Sequence, residues 1–282
     1  MARQAYTQKT NEQILLMREA CRITEEALKA VKAAIKPGVS TLELDNIADT
    51  TIRHYGAHSN FQLVDGYVHT ICSSINDEIV HGIPKADRKL AAGDIVSIDC
   101  GAEINGWNGD AAFTAIVPGE ADADLVASRQ QLSDVTEESL WVGIAALAKA
   151  EYLNEVGRAI EEFIDAKAEE HNREYGILED YIGHGIGRTM HEDPPVFNYR
   201  TRDKGPKVTP GLVVAIEPMI TGGSDDTQVL ADGWTVSSMD GSDASHWEHT
   251  VAVHEGGIWV LTAADGGAAG LAKFGIKPVP LA

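Results

Sequence analysis

Two ten-residue segments far apart in the chain constrain its fold more than any other feature of the sequence. Leu90-Ala-Ala-Gly93-Asp-Ile-Val-Ser-Ile-Asp99 aligns without gaps on Val208-Thr-Pro-Gly211-Leu-Val-Val-Ala-Ile-Glu217. Each reads as a glycine turn, a buried apolar strand and a carboxylate at the strand's end. Helical stretches precede both segments in the same order, so an internal duplication explains the echo better than accident does. The expected fold is α+β: two related halves, roughly 10–118 and 119–262, packed about a pseudo-twofold within a single domain over 1–282. An antiparallel sheet lies inside and the helices outside. Packed so, Asp99 and Glu217 approach a shared seam, where the site is expected.

The helices announce themselves through their ends. Thr10 with Gln13 has the capping-box spacing, after which Ile14, Met17, Cys21, Thr24, Leu28, Val31 and Ile35 recur at helical intervals. Pro37-Gly38 ends this run. Ser40 with Glu43 opens a second helix, with Leu42, Ile47, Ala48 and Ile52 as its apolar face, ending near Gly56. Strands follow to about residue 118: one over Ser74–Val80, then IVSIDCGAEI, a turn at Asn105-Gly106, and DAAFTAIV. Pro118-Gly119 closes the block. Two further helices are expected over roughly 122–150 and 152–173, the second with Leu153, Val156, Ile160 and Phe163 on one face. Strand-like segments continue to about 262, and the Ala/Gly-rich end carries no readable function.

Composition excludes several classes. With 282 residues, 44% of them hydrophobic, the chain can bury a large core. No stretch approaches the ~20 apolar residues that span a bilayer. The polar start, MARQAYTQKTNEQ, lacks an apolar signal region, so a cytoplasmic location is expected. Cys21, Cys72 and Cys100 are odd in number and match neither a disulfide framework nor a CxxC motif. Each is expected to be a small buried hydrophobe in a reducing compartment. The net charge of −20 disfavours binding to nucleic acid or anionic lipid. Glu161, Glu162, Glu169 and Glu170 read as a solvated helix face rather than a site.

Against that background, a few carboxylates stand out. Asp99 and Glu217 end buried apolar strands, where a carboxylate is costly unless paired or bound to a metal. Asp110 lies eleven residues beyond Asp99, across the Asn105-Gly106 turn. A two-residue turn there pairs residue 99 with residue 112, making Asp99 and Asp110 diagonal neighbours about 7–8 Å apart. Side chains so placed can reach a pair of metals about 3.5–4 Å apart. A single aspartate in a hairpin is more often a turn residue, but the apolar run before Asp99 places it in the core.

Histidines complete the set. Gly183-His184-Gly185-Ile186-Gly187 is followed closely by His191-Glu192-Asp193-Pro194, and Glu248 sits in His246-Trp247-Glu248-His249 before the strand Thr250-Val-Ala-Val. One such histidine alone would be a structural hydrogen-bonding residue. Two in a glycine-rich stretch, beside buried carboxylates, favour a ligand. An oxygen-dominated site with one imidazole suits Mn, Fe(II), Co or Zn, and no thiolate zinc site or HExxH helix is present. His81 follows the Ser74–Val80 strand and precedes Gly82-Ile-Pro84. It either caps that strand or orients a reacting amide, and the residues by themselves leave both open.

These segments together resemble the type I methionine aminopeptidases of the pita-bread (creatinase/aminopeptidase-like) superfamily. The likeness runs from about residue 10 to 262 and rests on SINDEIVHGIP, DCGAEINGWNGD, GHGIGRTMHEDP, AIEPM and WEHTVAV in order. The resemblance implies five metal ligands, Asp99, Asp110, His184, Glu217 and Glu248, holding two divalent ions. Asp110, His184 and Glu217 would hold one ion and Asp99 the other, with Glu248 bridging and Asp110 shared. It implies removal of the initiator methionine from nascent polypeptide N-termini when the second residue is small. In that reading Glu217 shuttles a proton, His81 and His191 steady the scissile amide and the oxyanion, and Tyr67, Cys72 and Trp234 line the methionine pocket. Ordinary core packing accounts for Trp234 equally well if the resemblance is set aside. Phe61, Val64 and Met190 depart from the family's pattern, which leaves the pocket's shape open.

Rivals remain to be separated. Proline-specific aminopeptidases and other exopeptidases of the superfamily share the five ligands but carry a large N-terminal domain, for which the start at about residue 10 leaves no room. Only 31 residues separate Glu217 from Glu248, too few for the helical insertion of the type II enzymes. A catalytically dead binding protein on the same fold would be expected to have lost ligands. The enzyme is expected to be a monomer that meets chains at the ribosome. The loop 221–233, with Asp225, Asp226 and Asp232 and no basic residue, argues against docking on RNA through that surface.

Overall fold

Helix α1 (Asn11–Ala34) begins as its sequence dictates: the Thr10 side chain accepts from the Gln13 amide, and the Gln13 side chain accepts from the Thr10 amide. Two orphan N–H groups are thereby satisfied, and such a cap contributes about 1 kcal/mol. Ser40 and Glu43 open α2 (Thr41–His54) in the same way. Its buried face differs from expectation. Leu44, Asp45, Ala48 and Ile52 turn inward, while Leu42 and Ile47 are only half-buried. Asp45 is inside because its carboxylate accepts from the amides of Thr70 and Ile71, tying the helix to the strand that begins at Ile71. The computed structural model describes residues 6–282; the first five residues of the polar start lie outside the described residues.

The strands before residue 118 are β1 (His58–Ser59), β2 (Ile71–Ile75), β3 (Glu78–Val80), β4 (Ile95–Ile104) and β5 (Trp107–Ile116). The single strand expected over Ser74–Val80 is two, because Asn76 adopts a left-handed φ of 59° and breaks the extended run. The β4–β5 hairpin turns at Asn105-Gly106, both with positive φ, the chemistry a two-residue type I′ turn requires. Its register pairs Asp99 with Ala112 and Gly101 with Asp110, as the turn length predicts.

Helices α3 (Ala123–Leu147) and α4 (Asn154–His171) follow, each a few residues shorter than expected; Asn172 in the left-handed conformation ends the second. Then come β6 (Gly176–Ile177), β7 (Gly183–Gly185), β8 (Glu192–Val196), β9 (Val213–Ile216) and β10 (Met219–Thr221). β11 (Thr227–Val229), β12 (Val236–Ser238), β13 (Ala244–His246), β14 (Glu248–His254) and β15 (Gly257–Val260) complete the strands. The Ala/Gly-rich end is not featureless. It forms α5 (Ala268–Ala272), where Gly270 lies against the Trp141 ring so closely that no side chain would fit.

Nine strands join in one sheet ordered β1-β4-β5-β14-β9-β7-β8, with β2 beside β4 and β15 beside β14. β14 is the seam: it pairs antiparallel with β5 on one side and β9 on the other. The glycines of the two echoed segments, Gly93 and Gly211, both turn through positive φ, 84° and 95°. Strand alternation then sorts the faces. Val96, Ile98, Cys100, Ala111 and Phe113 join residues of α1 and α2 in one apolar cluster. Ser97, Asp99, Asp110, Ala112 and Thr114 take the opposite face. Over the other half, Leu140, Ile144, Val156 and Ile160 of α3 and α4 pack with Val214, Ile216 and Val251. All three cysteines are buried and free, and among the described residues no helix is long and apolar enough to cross a membrane.

α1 approaches β5 so closely that a Cβ on Gly109 would sit 2.5 Å from the Cys21 amide nitrogen. Backbone cannot yield as a flexible side chain does, so Gly109→Ala is expected to destabilise the fold by roughly 1–3 kcal/mol or more. The check is the denaturant midpoint at unchanged m-value; an unaltered midpoint would show that helix and strand are not in this contact.

Candidate metal centre and side-chain pocket

The sheet register sets the five candidate ligands in two adjacent rows on one face. In the first row Asp99 of β4 and Glu248 of β14 both stand opposite Ala112 of β5. In the second, Asp110 of β5 exchanges hydrogen bonds with the Thr250 hydroxyl of β14. Thr250 stands opposite Ala215 of β9, and Ala215 opposite His184 of β7. Glu217 lies two residues beyond Ala215, so the strand period returns it to the same face. Five strands, drawn from three separate stretches of the chain, thus bring four carboxylates and an imidazole to one place.

The donor atoms of Asp110, His184 and Glu248 all lie within 4.8 Å of one another. His184 Nε2 is 3.5 Å from Glu217 Oε1, with both side chains 12–13% exposed; Asp110 and Glu248 are 3% and 2% exposed. Asp99 Oδ1, Asp110 Oδ1 and Glu248 Oε1 are buried with no hydrogen-bond partner. A buried carboxylate left this way costs several kcal/mol unless it is neutralised or coordinates a metal. Burial, reinforced by the neighbouring carboxylates, drives the acids of Asp110 and Glu248 well above their ordinary range. Burial also raises Asp99 to about 7, with Glu217 adding to the effect, and Glu217 to about 8. With all four ionised, the cluster would hold more negative charge than its surroundings balance, so without a cation the acids are held toward their protonated form.

His184 shows what kind of charge is missing. Its Nδ1 lies 2.9 Å from the Gly185 carbonyl, which can only accept, so Nδ1 carries the proton and Nε2 presents a lone pair. Against an ionised Glu217 at 3.5 Å, that lone pair is repelled unless a cation lies between them. The residues therefore fit divalent metal: four oxygen donors, one imidazole in the ligating tautomer, and unpartnered buried oxygens aimed inward.

Beside this cluster opens a cavity walled by Phe61, Val64, Tyr67, Cys72, Met190 and Trp234, with the five candidate ligands, His81 and His191 along its polar side. The Tyr67 hydroxyl donates to the Ile71 carbonyl at 2.7 Å, so its polar end is satisfied and its ring is free to form wall. Trp234 meets that ring edge-on at 5.1 Å. Half-buried, Trp234 packs against the small cluster of Phe61, Tyr67 and Cys72 and borders the cavity. The departures Phe61, Val64 and Met190 all face the cavity and set its shape.

His81 turns the chain after β3 with a φ of 59°, and its ring contacts Tyr181 at 5.6 Å. Its side chain lines the cavity beside the carboxylate cluster. Burial, then the nearby His246 and His191, lower it to about 4, so it is neutral at physiological pH. His191 stands edge-on to His184 at 4.4 Å, exposed at the rim. Sequence reasoning missed two residues here, Tyr181 and His246, both lining the open cleft beside the cluster. The only signal was position: His246 lies two residues before Glu248.

Known proteins resemble this chain in sequence and fold. The pattern of Metallopeptidase family M24 matches residues 15–255. Methionine aminopeptidase 1 of Mycobacterium tuberculosis is 46% identical over 260 residues, 92% of this chain and 96% of that protein. The crystal structure of methionine aminopeptidase from Thermotoga maritima superposes with a TM-score of 0.84 at 35% identity, covering 91% of this chain and 99% of the other. Prolidase from Pyrococcus furiosus, at 21% identity and a TM-score of 0.69, shares the fold, but this chain spans only 65% of it. The α+β architecture expected from the echoed segments and the pita-bread fold implied by the resemblance are those of these structures, and the chain belongs to the M24 metallopeptidases and, within them, to the methionine aminopeptidases.

Proposed function

We propose that the chain is a single catalytic domain that removes the initiator methionine from nascent polypeptides whose second residue is small. The observation that carries this reading is a cluster of four carboxylates and a ligating imidazole, lacking countercharge, at the side of an aromatic-walled apolar pocket. Asp99, Asp110, His184, Glu217 and Glu248 would hold two divalent ions, Co, Mn, Fe or Zn. When bound, such a pair makes water nucleophilic near neutral pH and polarises a carbonyl. Tyr67, Cys72 and Trp234, with Phe61 and Met190, enclose the unbranched thioether, whose polarisable sulfur packs well against aromatic edges. Glu217 accepts a proton from the attacking water and returns it to the leaving amine. His81 and His191 hydrogen-bond the scissile amide and the developing oxyanion, and neutral imidazoles can do so as N–H donors. The same reading makes the protein a cytoplasmic monomer that meets chains as they leave the ribosome without docking on RNA.

The test is methionine release by the metal-loaded protein. Peptides beginning Met-Ala should be cleaved and Xaa-Pro peptides should not; the reverse preference would assign the proline-specific activity instead. His81→Ala separates the roles further. It is expected to lower kcat by about 10²–10³-fold, the usual effect of losing one such donor, with metal stoichiometry unchanged. Loss of bound metal in His81→Ala would make it a ligand and overturn this division.

A further inference from the structure

His246 has no part in the reading above, yet it is 2% exposed and its Nε2 is buried with no hydrogen-bond partner. Pairing of β10 with β13 sets it opposite Met219, and its Nε2 reaches to 3.5 Å from Glu217 Oε2. Its backbone is firmly held. The amide is within 3.2 Å of Ser97 Oγ and 3.0 Å of Thr114 Oγ1, and the Thr114 hydroxyl donates to its carbonyl at 2.8 Å. Ser97 stands two residues before Asp99 and Thr114 two beyond Ala112, so the clamp is built on the strands that carry the candidate ligands.

The two oxygens of Glu217 thus face two imidazoles at equal distance, Oε1 toward His184 and Oε2 toward His246. The two contacts are chemically different. His184 has spent its proton on the Gly185 carbonyl and offers only a lone pair. We propose that His246 is a positioning residue: its Nε2–H donates to Glu217 Oε2 and holds the carboxylate with Oε1 directed at the ion that it shares with His184. An outer partner of this kind fixes a ligand's orientation, and its loss weakens metal binding by about 10–100-fold. The proposal rests on Glu217 being a ligand.

The experiment compares His246→Leu, which removes the donor, with His246→Gln, whose amide N–H keeps one. Mn²⁺ affinity and stoichiometry are read by titration calorimetry on the metal-free full chain, with its thermal melt as the check on folding. His246→Leu is expected to bind Mn²⁺ about 10–100-fold more weakly at unchanged stoichiometry, and His246→Gln to recover most of the loss. If the leucine variant does not fold, His246→Met against His246→Gln carries the same comparison. Wild-type affinity without the donor, a glutamine variant no better than the apolar one, or loss of a whole equivalent of Mn²⁺ at saturation would each overturn the proposal; the last would make His246 a ligand. Glu217→Gln distinguishes the two levels. Undiminished affinity there removes the ligand reading itself, whereas loss there with wild-type affinity in His246→Leu removes only the part given to His246.

Discussion

Asp110→Ala and Glu248→Ala are each expected to reduce methionine release on the order of 10³-fold or more while leaving the protein folded. Each removes a side chain placed at the middle of the cluster, within 4.8 Å of His184 and of the other. Metal-assisted stabilisation is worth several kcal/mol, and each ~1.36 kcal/mol is tenfold in rate. The stability effect should have the opposite sign. Both carboxylates are buried with an unpartnered oxygen, so in metal-free protein their removal relieves a cost and the melting temperature should hold or rise. Mn²⁺ is expected to raise the melting temperature of the parent by binding the native state, and in the variants that rise should shrink or vanish. Metal analysis, turnover and paired melts with and without Mn²⁺ check all three. A variant with full metal content and near-normal turnover would sink the assignment. A metal-free variant that melts far below the parent would show that the carboxylates support the fold instead.

The second large effect concerns the substrate. The pocket between Tyr67, Trp234, Phe61, Cys72 and Met190 offers apolar and aromatic wall, with the carboxylate cluster and His81 at one side. Norleucine keeps the shape of methionine and should be accepted. Lysine at the first position would bury an ammonium with no anion beyond those claimed by metal, and should be rejected by several kcal/mol. At the second position the side chain meets the rim near His81 and His191, so Gly, Ala, Ser and Cys should be tolerated. Leu, Lys and Glu should lower kcat/KM by about 100-fold, within the range that pocket size and polarity can impose. A peptide panel varying both positions measures this. Cleavage of Leu-first or Lys-first peptides as fast as Met-first ones would make the protein a broad aminopeptidase.

Much of this was determined by the sequence alone, and the common reason is that the interactions are local. Thr10 with Gln13 and Ser40 with Glu43 cap their helices across a single turn. Asn105-Gly106 accepts the positive φ values of a two-residue turn, and that turn alone sets Asp99 opposite Ala112. A carboxylate after Ile-Val-Ser-Ile or Val-Val-Ala-Ile is anomalous by burial whatever lies across from it, so Asp99 and Glu217 could be singled out without coordinates. Other features were decided only by tertiary structure. Asp45 turns inward on α2 because the amides of Thr70 and Ile71 wait there, and no helical periodicity encodes a partner 25 residues away. Asn76 splits a segment that local β-propensity reads as continuous, and its carboxamide is used in bonding Asp94 and the Ile95 amide. Above all, β14 enters the sheet between β5 and β9. The pairing of β14 with β5, more than a hundred residues earlier in the chain, brings Glu248 beside Asp110, and the fold around it turns His246 from a residue in a histidine-rich run into an imidazole facing Glu217. Long-range register is settled by burial of whole faces against α1 to α4, a collective quantity that no short window of sequence contains.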